Sequence, residues 1–148
     1  MVVAPCPLCV PQDEARVWQD QSCRIILVND PDYPGFCRVI WHDHVAEMSD
    51  LSSQEQQHLM RVVLATEQAL RALMKPDKIN LASFGNQVPH LHWHVIPRYR
   101  EDAHFPESIW GRRQRESRPV LAPEREALTH WIASALGHPG KPTGSIMV

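Results

Sequence analysis

Residues 90–97 read His90-Leu91-His92-Trp93-His94-Val95-Ile96-Pro97. Three histidines alternate with apolar residues at a period of two, which is typical of a β-strand with two different faces. The three imidazoles then lie on one face, about 6.5–7 Å apart, while Leu91, Trp93 and Val95 point into the core. Pro97 is predicted to end the strand pairing. A solvated face that happens to be rich in histidine is the alternative, but lysine, threonine or glutamate would serve equally well there, so the pattern favours a functional face.

The composition indicates one soluble globular domain. The chain has 148 residues, of which 43% are hydrophobic and 22% charged, enough for one domain with a core and too few for two. A net charge of −2 gives no reason to expect binding to nucleic acid or to an anionic membrane. The N-terminus lacks the pattern of a signal peptide, and no apolar run could cross a bilayer, so a cytoplasmic protein is expected. We predict a single domain over residues 1–137 and a flexible tail over residues 138–148.

The order of predicted elements favours an α+β fold with an antiparallel sheet of about five strands. Ser52 and Glu55 form a capping box that opens a long helix, which is predicted to stop near Met74, before Pro76. A shorter helix is predicted from Pro123 until Gly137 terminates it. Four strands are predicted besides the histidine strand, over residues 16–19, 23–28, 36–41 and 78–84. Short connections support antiparallel pairing, and the exposed edges of a small sheet make a homodimer the expected assembly.

Four cysteines fall into two groups. Cys23 and Cys37 lie inside apolar strand-like runs and are predicted to be small buried side chains. Cys6-Pro7-Leu8-Cys9 is a CxxC knuckle, whose geometry suits one tetrahedral zinc ion that needs two further ligands. Redox pairs of this spacing normally follow a strand and open a helix, whereas this one stands at the start of the chain between prolines. A redox pair and metal-free thiols remain the alternatives to structural zinc.

His44 and His90 are the predicted partners of the two N-terminal cysteines. A Cys2His2 site from Cys6, Cys9, His44 and His90 would tie the N-terminus to the sheet and leave His92 and His94 for chemistry. His42 lies close to His44 in the chain and competes with it as a ligand.

Two chemistries can use the alternating histidines. In the first, one neutral imidazole attacks phosphorus near pH 7 and its neighbours orient it and hold the phosphate. In the second, the imidazoles of His90, His92 and His94 bind a catalytic zinc ion that activates water. Spacing alone does not separate them, because residues at i and i+2 of a strand can chelate a metal.

The stretch from His90 to Ile96 resembles the His-φ-His-φ-His-φ-φ signature (φ, apolar) of the histidine triad (HIT) superfamily of nucleotide hydrolases and transferases. The segment from Ile26 through Gly35 to Ile40 is similar to the family's ribose-binding strand and turn. Residues 45–51 resemble the approach to its long helix. The likeness covers roughly residues 5–110 and implies a HIT-like fold. The N-terminal CxxC resembles that of the family's zinc-containing branch, which supports the four proposed ligands.

The resemblance implies a role for each matching position. His92, the middle histidine, would attack the α-phosphorus and form a covalent nucleotidyl intermediate. His94 would hydrogen-bond the phosphoryl oxygens or the leaving-group bridge atom, and His90 would hold His92 in place. The predicted substrate-binding residues are Asn29 and Asp30 at the ribose and Ser83, Asn86 and Gln87 at the phosphate. The implied substrate is a small nucleotide, with purine as the commoner base, of either the phosphoramidate or the dinucleoside polyphosphate type.

The chain departs from the family pattern at several positions. Trp93 is bulkier than the usual aliphatic residue, and Trp41 replaces a common proline. His104 and Trp110 resemble the stretch that closes over the leaving group in some members, although a packed aromatic loop is an equal alternative. A non-catalytic nucleotide-binding module also fits the sequence, and the leaving group stays open.

Overall fold

A five-stranded antiparallel sheet carries two helices in the computed structural model, which describes residues 5–11 and 13–137. The predicted α+β class and number of strands are therefore confirmed. The predicted tail at residues 138–148 lies outside the described residues. The elements in chain order are β1 (Ala15–Gln19), β2 (Cys23–Leu27), β3 (Cys37–Trp41), α1 (Ser53–Met74), β4 (Lys78–Ala82), β5 (His92–Arg98) and α2 (Arg125–Leu136).

The strands lie in the order β1-β2-β3-β5-β4, so the histidine strand is central and packs between β3 and β4. In the β3–β5 register Arg38 stands opposite His94 and Ile40 stands opposite His92. Residues directly opposite each other share a face of the sheet. The residues between them, such as Val39 and its neighbours on β5, face the other side and join the main hydrophobic core.

The long helix α1 covers the core face of the sheet. It begins after Ser52, whose side chain accepts a hydrogen bond from the Glu55 N–H while Glu55 accepts one from the Ser52 N–H, which confirms the predicted capping box. It ends at Met74, where Lys75 adopts a left-handed conformation with φ of 48°. The buried residues of α1 recur at helical spacing along one face: Leu59, Val62, Val63, Ala65, Thr66, Ala69 and Leu70.

The second helix, α2, packs against α1 and β1. Leu128 and Ile132 are fully buried there, and Gly137 forms the C-cap as the sequence predicts. No helix in residues 5–11 or 13–137 combines the length and the apolar character that a membrane span requires.

Three sequence-based expectations about the strands are wrong. Pro97 does not end the pairing, because β5 continues to Arg98 and Pro97 stands opposite Ile79 on β4. On its other side β5 pairs with β3 only as far as Val95. Pro97 lies beyond the last of these pairs, so its missing N–H removes no hydrogen bond to β3. The strand also starts at His92 rather than at His90. The fourth strand, β4, stops at Ala82 instead of residue 84.

Candidate active site and metal centre

His92 and His94 stand side by side on the face of β5 that points away from the helices. Their ring centroids are 4.9 Å apart and the rings are nearly perpendicular. Both residues are largely buried, with exposed fractions of 8% and 6%. Of the three imidazoles predicted to share one face of the strand, His92 and His94 do so, whereas His90 lies before β5 and outside the pocket lining.

A backbone hydrogen bond fixes the tautomer of His92. Its Nδ1 lies 2.6 Å from the carbonyl oxygen of His90. A carbonyl can only accept, so Nδ1 must carry the proton and Nε2 keeps its lone pair. Burial lowers the pKa of His92, although the hydrogen bond to the His90 carbonyl partly opposes this. The ring is therefore neutral at pH 7, with one unprotonated nitrogen.

The ring of His94 is held mainly by aromatic contacts. Phe36 and Trp110 approach it with centroid distances of 5.6 and 4.9 Å. Its Nδ1 is buried and has no hydrogen-bond partner among the described residues. Burial, with smaller effects from His92 and Arg38, lowers the pKa of His94 to about 4. His94 is therefore also neutral near pH 7 and has an unused polar atom.

A pocket of about 450 Å³ opens over these two histidines. Asn86 and Gln87, two of the predicted phosphate-binding residues, line it together with the backbone-flexible Gly85. Gly85 has a φ of 70°, a left-handed conformation that favours glycine. The remaining wall residues are Pro7, Leu8, Arg38, Phe84, Val88 and Trp110.

The other predicted substrate-binding residues lie outside this lining. Asn29 and Asp30 follow β2, where the Asp30 carboxylate accepts a hydrogen bond of 3.0 Å from the Asp32 N–H. Ser83 donates its hydroxyl to the His92 carbonyl at 2.7 Å. This contact ties the end of β4 to the start of β5. The ribose and phosphate contacts assigned to these residues stay predictions.

Four side chains from distant parts of the chain meet in one cluster: Cys6, Cys9, His44 and His90. Cys9 Sγ lies 3.2 Å from His44 Nδ1 and 3.4 Å from His90 Nδ1, and Cys6 Sγ lies 3.5 Å from His90 Nδ1. The two Nδ1 atoms are 3.2 Å apart. Tetrahedral zinc with Zn–S bonds of about 2.3 Å and Zn–N bonds of about 2.0–2.1 Å requires S···N separations of about 3.5 Å and N···N separations of about 3.3 Å. The observed spacings fit such an ion.

His90 is also oriented as a metal ligand should be. Its Nε2 lies 2.5 Å from the Trp41 carbonyl oxygen and must donate to it, which leaves the Nδ1 lone pair for the cluster. His42, the competing candidate, is not in the cluster. Cys23 and Cys37 are fully buried free thiols, as the sequence predicts.

Two parts of the pocket were not assigned a role from the sequence. Arg38 lines the wall beside His94, and its only local signal is that it is the single charged residue in the apolar stretch of β3. Pro7 and Leu8, inside the CxxC knuckle, form another part of the wall. The knuckle therefore contributes to both the cluster and the pocket.

Alternating histidines on a central strand of an antiparallel sheet, beside a pocket, are typical of the class of histidine triad proteins. The chain belongs to the HIT domain family, whose model matches residues 11–101.

Two curated relatives are similar to part of this chain. It is 30% identical over 105 residues to an AP-4-A phosphorylase of Mycobacterium tuberculosis, a match that covers 64% of this chain and 54% of the relative. It is 35% identical over 92 residues to a bis(5'-adenosyl)-triphosphatase of Saccharomyces cerevisiae, covering 57% of this chain and 45% of the relative. The chain thus spans about half the length of these relatives.

Solved structures share the fold. A histidine triad protein from Marinobacter aquaeolei is 25% identical, with a TM-score of 0.68 over 83% of this chain and 91% of the other. A histidine triad family protein from Mycobacterium smegmatis, described as zinc-bound, is 22% identical, with a TM-score of 0.58 over 89% of this chain and 93% of the other.

Proposed function

We propose that this chain is a nucleoside-phosphate hydrolase or transferase that acts through a covalent nucleotidyl intermediate on His92. The observation that carries the proposal is the hydrogen bond from His92 Nδ1 to the His90 carbonyl. It leaves an unprotonated Nε2 on a neutral ring beside a pocket. This is the state in which imidazole is a nucleophile at phosphorus near neutral pH.

The reaction has two steps. The Nε2 lone pair of His92 attacks the α-phosphorus of a nucleoside-P-X substrate, the P–X bond breaks, and X leaves with the electron pair and takes up a proton from solvent. An N–H of the neutral His94 ring donates a hydrogen bond to the bridge atom and stabilises the charge that develops there. Water or another acceptor then attacks the same phosphorus and releases its proton to solvent, the N–P bond breaks, and neutral His92 is restored. Asn86 and Gln87, which line the pocket, would donate hydrogen bonds to phosphoryl oxygens.

The expected substrates are esterified nucleotides, either dinucleoside polyphosphates or nucleoside phosphoramidates. The first class is favoured by the two curated relatives, whose names describe enzymes of diadenosine polyphosphates. Adenine in both names supports a purine base. Asn29 and Asp30 remain the proposed contacts to the ribose.

We further propose that Cys6, Cys9, His44 and His90 hold a structural zinc ion. The spacing of their donor atoms supports this assignment, and four protein donors leave no open position for water. When bound, zinc would supply a cross-link between the N-terminal knuckle and the start of β5. The position of His90 argues against a catalytic zinc on His90, His92 and His94, because its Nδ1 lies with the cysteines and its Nε2 donates to the Trp41 carbonyl, so neither ring nitrogen of His90 is left for a shared ion.

Trapping of the intermediate tests the proposal. Wild-type protein mixed with radiolabelled diadenosine triphosphate or a nucleoside phosphoramidate and then quenched in alkali should carry label that is released by acid and maps to the peptide containing His92. The His92→Ala variant should form no adduct and lose at least about 10³-fold in turnover. His130→Ala, on the outer side of α2, is the matched control and should behave as wild type. A folded His92→Ala protein that still turns over near the wild-type rate would refute the mechanism.

Two outcomes would favour the alternatives. Turnover that disappears on chelation and leaves no covalent adduct would indicate a zinc-activated water. Nucleotide binding without turnover of either substrate class by the wild-type protein would indicate a non-catalytic binding module.

A further inference from the structure

Arg38 is a partly buried cation that has no counterion among the residues described by the structure. Its side chain lies on the pocket face of β3, opposite His94. Within residues 5–11 and 13–137 its Nε has no hydrogen-bond partner, and none of the ion pairs of that region involves it. A guanidinium does not lose its proton in a protein, so the positive charge stays in the pocket at every relevant pH.

Two other arginines on this face of the sheet are neutralised by carboxylates at hydrogen-bond distance. Arg24, on β2, makes a double hydrogen bond to the Glu14 carboxylate at 2.7 and 2.9 Å. Arg98, at the end of β5, makes one to Asp102 at 2.7 and 2.9 Å. Leaving a buried charge unpaired is costly, and the fold avoids that cost at these two positions. The exception at Arg38 coincides with the pocket wall.

The pocket itself offers no compensating charge. None of its described lining residues is acidic, and an imidazole such as that of His92 or His94 never supplies a negative charge in this role. The guanidinium carbon of Arg38 lies 5.7 Å from the centroid of the Phe36 ring, which also contacts His94. Phe36 therefore holds the cation beside His94 rather than out in solvent. An anionic ligand is the group that would complete this arrangement.

We propose that Arg38 binds the phosphate groups of the leaving group and thereby selects substrates in which the group lost from the α-phosphorus is itself a phosphate. The inference rests on the proposed function. Arg38 is paired with His94, whereas the uncharged Ile40 is paired with the nucleophile His92. The cation is therefore displaced along the strands toward the histidine that serves the leaving group. A phosphate leaving group brings negative charge to that position, and an amine leaving group does not.

Paired kinetics on two substrates test this selectivity. Diadenosine triphosphate has a phosphorylated leaving group, and an adenosine 5'-phosphoramidate has an amine. Arg38→Gln should reduce kcat/KM for diadenosine triphosphate by about 10- to 100-fold, the range expected for one lost charge-assisted contact, and change the phosphoramidate value by less than about threefold. Arg38→Lys should lose less on the triphosphate, because it keeps the charge but not the forked geometry. Arg112→Gln, which removes an exposed charge from the loop after Trp110, is the control and should change neither value by more than about twofold.

Equilibrium binding provides a readout that needs no turnover. Calorimetry compares AMP with α,β-methylene-ADP, whose carbon bridge prevents cleavage. Wild-type protein should prefer the methylene compound, and Arg38→Gln should lose that preference while its affinity for AMP changes little. The melting temperature of the Arg38→Gln variant should not fall below that of the wild type, because the substitution removes an unpaired cation. A lower melting temperature would indicate a structural role for Arg38 and overturn the proposal.

The remaining outcomes are also decisive. If Arg38→Gln lowers kcat/KM equally for both substrates, Arg38 contacts the α-phosphate or supports the folded structure, and the proposed selectivity is overturned. It is also overturned if kcat/KM falls for neither substrate. If the wild-type protein turns over neither substrate, the proposed function fails, and the binding comparison still decides whether Arg38 recognises a second phosphate.

Discussion

Replacement of Asp102 by asparagine is expected to destabilise the fold by an amount that depends on pH. The Asp102 carboxylate accepts two hydrogen bonds from the Arg98 guanidinium, at 2.7 and 2.9 Å. It also accepts backbone N–H groups of Tyr99, His104 and Phe105 at 3.1, 3.1 and 2.7 Å. Asp102 lies at the start of the loop that contains Trp110, a residue of the pocket wall. Loss of the Asp102 contacts is therefore expected to affect the pocket as well as the fold.

The magnitude follows from the pKa of the carboxyl group. Burial alone would raise it, but Arg98 and the backbone N–H groups outweigh burial and lower the pKa of Asp102 to about 2, against about 3.9 in an unfolded chain. A lowered pKa stabilises the fold above the unfolded value, and that contribution is lost as the pH falls through the folded value. The difference amounts to about 2.6 kcal/mol at pH 7 and less than about 0.5 kcal/mol at pH 2. Because asparagine also leaves the Arg98 charge buried without its partner, the total cost at pH 7 should reach about 3–5 kcal/mol.

The assay is urea-induced unfolding of wild type and Asp102→Asn at pH 7, 4 and 2. Subtracting the two free energies of unfolding at each pH removes effects that both proteins share, including loss of metal in acid. The difference should shrink by about 2 kcal/mol between pH 7 and pH 2. Glu101→Gln, which removes the partner of the exposed Arg118, is the control and should have little effect at any pH. A difference that does not vary with pH, or one below about 1 kcal/mol at pH 7, would refute the reasoning.

Three further predictions concern the metal centre, the pocket wall and the turn before β3. Cys9→Ser should lower bound zinc from about one ion per chain and reduce the melting temperature, as measured by metal analysis and calorimetry; full zinc content would argue against the site. Trp110→Ala, which removes the aromatic contact to His94, should weaken substrate binding by about 2- to 10-fold in steady-state kinetics. Gly35→Ala should destabilise the fold by about 1 kcal/mol or more in urea unfolding, because Gly35 has a φ of 84° and a Cβ would lie 2.3 Å from Met74 Sδ.

The local parts of the fold could be predicted from the sequence because their signals are local. The start of α1 at Ser52 is encoded by two side chains three residues apart. Its end at Met74 is set by the proline two residues further on. The strand order could not be predicted, because it depends on which distant strands pair. The error at Pro97 has the same origin: whether a missing N–H matters depends on where the neighbouring strand β3 stops.

The same distinction between local sequence patterns and the pairing of distant segments applies to the candidate site. The CxxC spacing and the alternating histidines are sequence patterns, and the structure brings Cys6 and Cys9 to His44 and His90. Arg38 has no such pattern, and its position beside His94 follows from the β3–β5 register, which joins segments more than 50 residues apart in the chain. Ser83 shows the opposite case. Its place before the triad suggests a phosphate contact, but its hydroxyl already bonds the His92 carbonyl.

His90 joins the two halves of the site through three of its atoms. Its Nδ1 lies in the cysteine–histidine cluster, its Nε2 bonds the Trp41 carbonyl, and its own carbonyl accepts the His92 proton. The carbonyl can fix the His92 tautomer only if the backbone at residue 90 is held in place, and that residue lies two positions before the start of β5. A ligated ring would hold this backbone from the side chain, in addition to the backbone hydrogen bonds that Leu91 makes with Trp41 and Val45. With zinc bound, the cluster would support the orientation of the proposed nucleophile as well as cross-link the N-terminus, a role that agrees with the complete burial of His90 outside the pocket lining.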